Sequence, residues 1–153
     1  MFRSIWKSAR YHYIRSMAEP LVRNNLRRLD NKAEIWSDEH GLSWLTFEPG
    51  VEINGENAAQ LLELAKITAI DQEYFRVIID LRTSPIITDD ARKFAASGAP
   101  SGYISSFAIL VNDLPMRLVG NFFIRFHKPG QPTQIFSDPE EAVRWSLAQN
   151  DRK

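Results

Sequence analysis

The feature that most constrains the fold is the run Phe75-Arg76-Val77-Ile78-Ile79-Asp80-Leu81. It is short, apolar and β-branched, the composition of a strand covered on both faces, and such strands belong to parallel sheets flanked by helices. Ile104 to Val111 is a second run of this kind, and Thr133 to Phe136 a shorter third. Between them the periodicity changes. Ala58, Leu61, Leu62, Ala65 and Ala69 recur at helical spacing after Asn54 and Asn57, either of which can cap a helix. Thr88 can cap a second helix, whose first turn holds Asp89 and Asp90 where carboxylates favour the helix dipole, ending near Ser97-Gly98. Pro115 suits the first turn of a third helix, reaching Phe126 before the Lys128-Pro129-Gly130-Gln131-Pro132 loop. Asp138, Pro139 and Glu141 supply a cap, a first-turn proline and a capping-box acid for a closing helix that presents Ala142, Val143, Trp145 and Leu147.

Upstream, Ala33 to Trp36 and Leu42 to Phe47 flank Asp38-Glu39-His40-Gly41, and the pair reads as a β-hairpin. The expected architecture is therefore α/β: a mostly parallel sheet of about five strands opened by a hairpin, with about four helices. The chain's 153 residues suit one domain rather than two. We expect a basic amphipathic N-terminal helical extension over residues 1–30 and the α/β domain over 31–150. No apolar run approaches the roughly 18 residues a membrane-spanning helix needs, and zero cysteines excludes disulfides and thiolate sites and suits a reducing compartment, so the cytoplasm is the expected location.

A formal net charge of zero conceals an asymmetry: residues 1–28 hold seven Lys or Arg against one acidic residue, the remainder twelve against eighteen, so the parts carry +6 and −6. On a helical wheel Phe2, Ile5, Trp6, Ala9, Tyr13 and Met17 gather on one side, with Arg3, Lys7, Arg10 and Arg15 away from it. Two readings stand. In one, Phe2 and Trp6 enter a membrane surface with Arg3 and Lys7 at the headgroups, a peripheral contact that would bring a lipid as partner. In the other, ranked first, this is an accessory helix packed on the domain or on a second subunit. Met17-Ala18-Glu19-Pro20 also reads as a translation start, which would leave the residues before it unmade.

The element order resembles a bacterial STAS-like family of unknown function, akin to anti-sigma-factor antagonists of the SpoIIAA type and more distantly to CRAL-TRIO lipid-transfer proteins. The resemblance covers residues 33–148 and lies in the segments Asp80 to Arg92, Gly120-Asn121-Phe122-Phe123, and Lys128 to Ala142. It implies a regulatory turn after the central strand, where a Ser or Thr is phosphorylated and a partner docks; by position these are Ser84 and Thr88, followed by Asp89. The turn here, Thr83-Ser84-Pro85-Ile86-Ile87-Thr88-Asp89-Asp90, departs from the Asp-Ser-Ser-Gly-like motif of those proteins. A phosphate on Thr88 would meet like-charge repulsion from two carboxylates, so a capping role for Thr88 is favoured.

No catalytic constellation is visible. His12, His40 and His127 have no metal-ligand spacing, and there is no nucleophile elbow, P-loop or dinucleotide fingerprint. His40 falls in a hairpin turn and His127 at a helix C-terminus, so neither needs a functional explanation; no metal and no cofactor are expected. The informative segment is 114–126, where Met116, Val119, Phe122, Phe123 and Phe126, with Leu114 and Leu118, spread over about 200° of the wheel, twice what one packing face needs. The surplus is core, a surface for a homodimer or other protein partner, or a groove for a lipid-like ligand, in that order. The leading functional expectation is a non-enzymatic interaction or regulatory module acting through this helix and the Thr83–Asp90 turn. The alternative is a carrier of a lipid or other apolar small molecule. Nucleic acid is not an expected partner, because the body is acidic.

Overall fold

The structure, a computed structural model, describes residues 22–149. Phe2, Arg3, Trp6 and Lys7, and with them the proposed membrane-surface helix, lie outside the described residues. The main sheet contains β1 (Asn24–Leu29), β2 (Ala33–Ser37), β3 (Ser43–Phe47), β5 (Phe75–Asp80), β7 (Ile104–Leu110) and β8 (Thr133–Phe136) in that spatial order. β1, β2 and β3 pair antiparallel, and β3, β5, β7 and β8 pair parallel. The helices are α1 (Gly55–Thr68), α2 (Asp89–Ala96), the single turn α3 (Gly98–Ser101), α4 (Leu114–Phe122) and α5 (Pro139–Ala148). This is the α/β architecture that the alternation of apolar runs and helical periodicity implies.

Strand order follows chain order, so each parallel crossover steps the same way along the sheet, and right-handed crossovers in one direction place their helices on one face. α1, α2 and α4 therefore share a face, packing through Leu61, Leu62, Ala91 and Met116 on Ile35, Val77, Phe107 and Ile109. α5 ends the chain and is free of that constraint; its Ala142 meets Ile78, Ala108, Leu110 and Phe136 on the opposite face. β7, sandwiched between the layers, is buried at every position.

Local capping accounts for the helix starts. Asn54 and Asn57 form a reciprocal capping box on α1. Thr88 accepts the Ala91 N–H on α2, Asp113 the Met116 N–H on α4, and Asp138 the Glu140 N–H on α5.

Three features depart from the sequence reading. The sheet has six strands because Asn24–Leu29, a polar stretch with no apolar alternation, is an edge strand; an edge needs backbone pairing on one side only, and just Leu29 of its six residues is buried. A separate two-stranded parallel sheet joins β4 (Glu52–Ile53) to β6 (Ile86–Ile87). The third predicted helix does not run as an α-helix to Phe126: α4 stops at Phe122 and Phe123–His127 is a π-helical turn, closed by Lys128 at φ +51°.

Candidate functional site

The carboxyl ends of parallel strands are where open α/β sheets gather ligands and partners, and the Thr83–Asp90 turn leaves β5 there. It is firmly held. Asp80 Oδ1 accepts from the Arg82 backbone N–H at 3.0 Å and from Nε at 2.9 Å, while Oδ2 accepts from Nη2 at 2.7 Å. Thr83 Oγ1 donates to the Phe47 carbonyl at 2.9 Å. β4 and the residue before it anchor the rest, the Val51 and Ile53 carbonyls accepting from Ile86 N–H at 2.7 Å and Thr88 N–H at 3.0 Å.

Within the turn the two candidate hydroxyls differ. Ser84 is exposed, sits in the left-handed region at φ +57°, and donates to Asp113 Oδ2 at 3.3 Å, which links the turn to the start of α4. Thr88 is half-buried and engaged on all sides: Oγ1 donates to the Ile53 carbonyl at 3.1 Å, contacts Asp90 Oδ1, and accepts from Ala91 N–H at 3.4 Å. A phosphate on Thr88 would remove the cap and meet Asp90; one on Ser84 would meet Asp113.

Asp90 also ties two helix starts together, since Oδ2 accepts the Gly55 N–H at 3.0 Å. A Cβ at Gly55 would lie 2.8 Å from that oxygen, so a side chain there would push the Asp90 carboxylate aside. The Thr88 hydroxyl, followed by the Gly55 N–H, holds the Asp90 carboxyl below its ordinary range. Asp89 is also held low, chiefly by the Lys93 ammonium at 3.0 Å, with His127 and Arg92 adding to it. His127 Nε2 lies 3.3 Å from Asp89 Oδ1, although without the alignment of a hydrogen bond. A depressed carboxylate stabilises the fold above its unfolded pKa and loses that contribution as pH falls through the folded value. Asp89→Asn with Asp90→Asn should therefore flatten the acid side of the stability-versus-pH curve, below about pH 4, while leaving its alkaline side unchanged in slope. Urea unfolding across pH measures this, and an acid limb equally steep in the variant would show that neither carboxylate contributes.

The helix beyond Asp113 divides the residues singled out there. Met116 and Phe123 are buried, Val119 is half-buried, and all three belong to the core. Phe122 and Phe126 do not; they are 42% and 66% exposed, joined by Leu114 at 66% and Leu118 at 58%. Spaced four apart, these four residues make a stripe. In a continuous α-helix i+4 runs roughly 40° past i, so the stripe would drift around the axis. The π-helical turn, bonded i to i+5, brings i+4 back nearly over i, and the Phe122 and Phe126 rings stack at 4.6 Å.

The stripe and the turn meet. The Arg92 guanidinium lies 5.5 Å from the centre of the Phe122 ring, and the His127 ring meets Phe122 edge-on at 5.5 Å while reaching Asp89. The structure thus brings Ser84, Asp89, Phe122 and Phe126 into one linked region and withdraws Met116, Val119 and Phe123 into the core. Leu114, Leu118 and Arg92 complete the region; the fourfold spacing signals the leucines, but nothing in sequence signals Arg92.

His40 lies at the hairpin turn, far along the chain from this region, its side chain beside Glu39 at 3.7 Å. Among the described residues no group of His, Asp and Glu side chains is placed to hold a metal ion, and no helix is long and apolar enough to cross a membrane.

A parallel-centred α/β domain with a firmly tied turn at its strand ends and an apolar stripe beside it is the class that fold and site define. The chain belongs to the DUF7793 family, described as a domain of unknown function, which matches residues 35–149. No curated protein sequence matches it. Among solved structures it is similar to an uncharacterized protein of the DUF3478 family with a SpoIIAA-like fold from Shewanella loihica PV-4, at 13% identity over 79% of this chain and 90% of that one, with a TM-score of 0.46.

Proposed function

We propose that this domain is a non-enzymatic interaction module that docks a protein partner, or a second copy of itself, on the stripe Leu114, Leu118, Phe122 and Phe126 with the adjoining Asp89 and Arg92. The stripe is the observation that carries the reading. Single exposed apolar residues are ordinary, but two leucines and two stacked phenylalanines on one ridge, bordered by an Arg and an Asp, have the make-up of an interface core with a polar rim. The test is a photo-crosslinking residue in place of Leu118, in full-length protein inside its host. A discrete protein adduct, of the chain itself or of one partner, is expected. No adduct at this position, or turnover of an ester, phosphate or nucleotide substrate by the purified protein, would overturn the proposal.

A second reading, that the domain carries a lipid or other apolar small molecule, is favoured by a cavity of about 130 Å³ between the sheet and its α1, α2 and α4 layer. Leu45, Phe47, Leu61, Val77, Phe107 and Phe123 are among its walls, and the lining is almost wholly carbon. An apolar cavity of about 150 Å³ stays dry and admits a benzene-sized molecule, so the space suits a small ring or a short stretch of acyl chain. Ala65→Leu adds three carbons to the α1 wall. At ~24 cal/mol per Å³, an empty cavity of this size costs about 3 kcal/mol, and filling part of it should raise the unfolding free energy by about 1–2 kcal/mol. Benzene binding, read by calorimetry, should disappear in the same variant. A destabilised Ala65→Leu protein, or a parent protein that takes up no benzene, counts against this reading.

A further inference from the structure

The cavity beneath α1, α2 and α4 is walled by hydrocarbon with one exception. Arg92 on α2 is the one lining residue with a polar side chain. That side chain is 20% exposed, so it runs along the border between the cavity and solvent. Its guanidinium is only partly engaged. Nη1 donates to the Ile87 carbonyl, Nη2 lies 3.6 Å from Asp89 Oδ1, and the group rests 5.5 Å from the centre of the Phe122 ring. Nε is buried and meets no acceptor among the described residues. A second buried nitrogen beside it is equally idle. His127 Nε2, on the π-helical turn, faces the same Asp89 oxygen at 3.3 Å without making a hydrogen bond, and its ring packs on Phe122 and on Phe123, a wall of the cavity. Asp89 is turned to the Lys93 ammonium at 3.0 Å. It thus gives Arg92 and His127 a charge to face and a hydrogen bond to neither.

A buried N–H is costly until an acceptor reaches it, and a purely apolar occupant of the cavity would leave both nitrogens as they are. We propose that the cavity takes a small carboxylic acid in its ionised form, with an aromatic ring or short acyl chain in the apolar space and the carboxylate oxygens on Arg92 Nε–H and His127 Nε2–H, where α2 meets the π-helical turn. This rests on the cavity reading above and adds the head group to it. Two idle nitrogens match the two oxygens of a carboxylate, and the planar guanidinium is the side chain best shaped to receive one. The charge balance allows one anion: among Asp89, Arg92 and Lys93 a single positive charge is left over, while Asp90 is engaged elsewhere by Thr88 and the Gly55 N–H. A phosphate, with close to two negative charges, would exceed it. The volume of about 130 Å³ limits the tail to roughly the size of benzene, which excludes a long acyl chain.

Phenylacetate and phenylacetamide, alike in shape and different in charge, test this by calorimetric titration of the full-length protein, with benzene as the control for the apolar space. Phenylacetate should bind at least about tenfold more tightly than the amide and shift the Arg92 Nε–H resonance. Arg92→Met, which keeps an unbranched stem without the N–H groups, should erase the preference and still take up benzene, which also reports that the variant is folded. If Arg92→Met does not fold, the acid and amide comparison on the parent decides alone, together with the Nε–H resonance. Equal affinity for acid and amide, or a preference that survives in folded Arg92→Met, overturns the head-group assignment while benzene uptake leaves the cavity reading standing. Phenylacetate binding that survives Ala65→Leu lies at some other basic surface and also overturns it. A parent protein that binds neither phenylacetate nor benzene defeats both.

Discussion

Asp38→Ala should cost the domain about 3–5 kcal/mol, a large share of the 5–15 kcal/mol typical of a domain this size. The carboxylate is 4% exposed, and it organises the hairpin between β2 and β3 by accepting three hydrogen bonds. Oδ1 takes the His40 and Leu42 N–H groups at 2.8 and 2.9 Å, and Oδ2 takes Trp44 Nε1–H at 2.9 Å. Leu42 and Trp44 are themselves buried, so truncation leaves an amide and an indole N–H without a partner or water, each worth about 1–3 kcal/mol. Gly41 at φ +81° closes the same turn, which fixes the geometry and leaves the orphaned donors little room to move. Asp38→Asn separates the two halves of this argument. Its carboxamide oxygen can still accept both backbone N–H groups, but its NH₂ then faces the Trp44 N–H, donor against donor, for a cost of about 1–3 kcal/mol. Urea unfolding of both variants measures the order, and an Asp38→Ala protein as stable as its parent would show that water replaces the carboxylate.

That turn illustrates what a sequence does and does not carry. Asp38-Glu39-His40-Gly41 between two apolar runs is a local signal, and it places the hairpin correctly; that the first residue is a buried acceptor for a tryptophan six positions on depends on the register Trp36 opposite Trp44, which no local pattern states. The same division holds elsewhere. Phe75 to Asp80, Ile104 to Leu110 and Thr133 to Phe136 are legible because composition alone implies burial on both faces, and the caps Asn54, Thr88 and Asp138 because a cap acts within three residues of itself. β1 is not legible, because an edge strand needs no apolar alternation, and β4 with β6 is not, because two residues show no period. In the candidate region, sequence brings forward Phe122 and Phe126 from the excess width of their helix. It cannot say which members of that wide face would be core, since that depends on where β7 and β8 lie. Nor can it place Arg92 against Phe122, a contact between residues 30 apart in the chain.

The division of that helix leads to the second large effect. Phe126→Asp should leave the domain folded and abolish most of its binding, whereas Phe123→Ala, three residues away, should do the reverse. Phe126 is 66% exposed and, among the described residues, stacks on the half-exposed Phe122, so a charge there meets water and changes stability little. Phe123 is buried, its ring edge-on to Phe107 at 6.5 Å, and its truncation opens a hole beside an existing cavity for about 3–5 kcal/mol. At an interface, an aromatic anchor replaced by a carboxylate loses its pocket contacts and desolvates a charge; hot-spot residues of this kind carry about 2–4 kcal/mol, which is roughly 30- to 1,000-fold in affinity. The readout is sedimentation or titration with the crosslinked partner or with the chain itself, alongside thermal unfolding of each variant. If Phe126→Asp unfolds the protein, the stripe is a structural face that needs its cover in order to fold. If it remains folded and binds as tightly as the parent, the proposed docking surface is in the wrong place. Only a folded Phe126→Asp protein that no longer associates, beside an unstable Phe123→Ala, matches an interaction surface laid over a separate core.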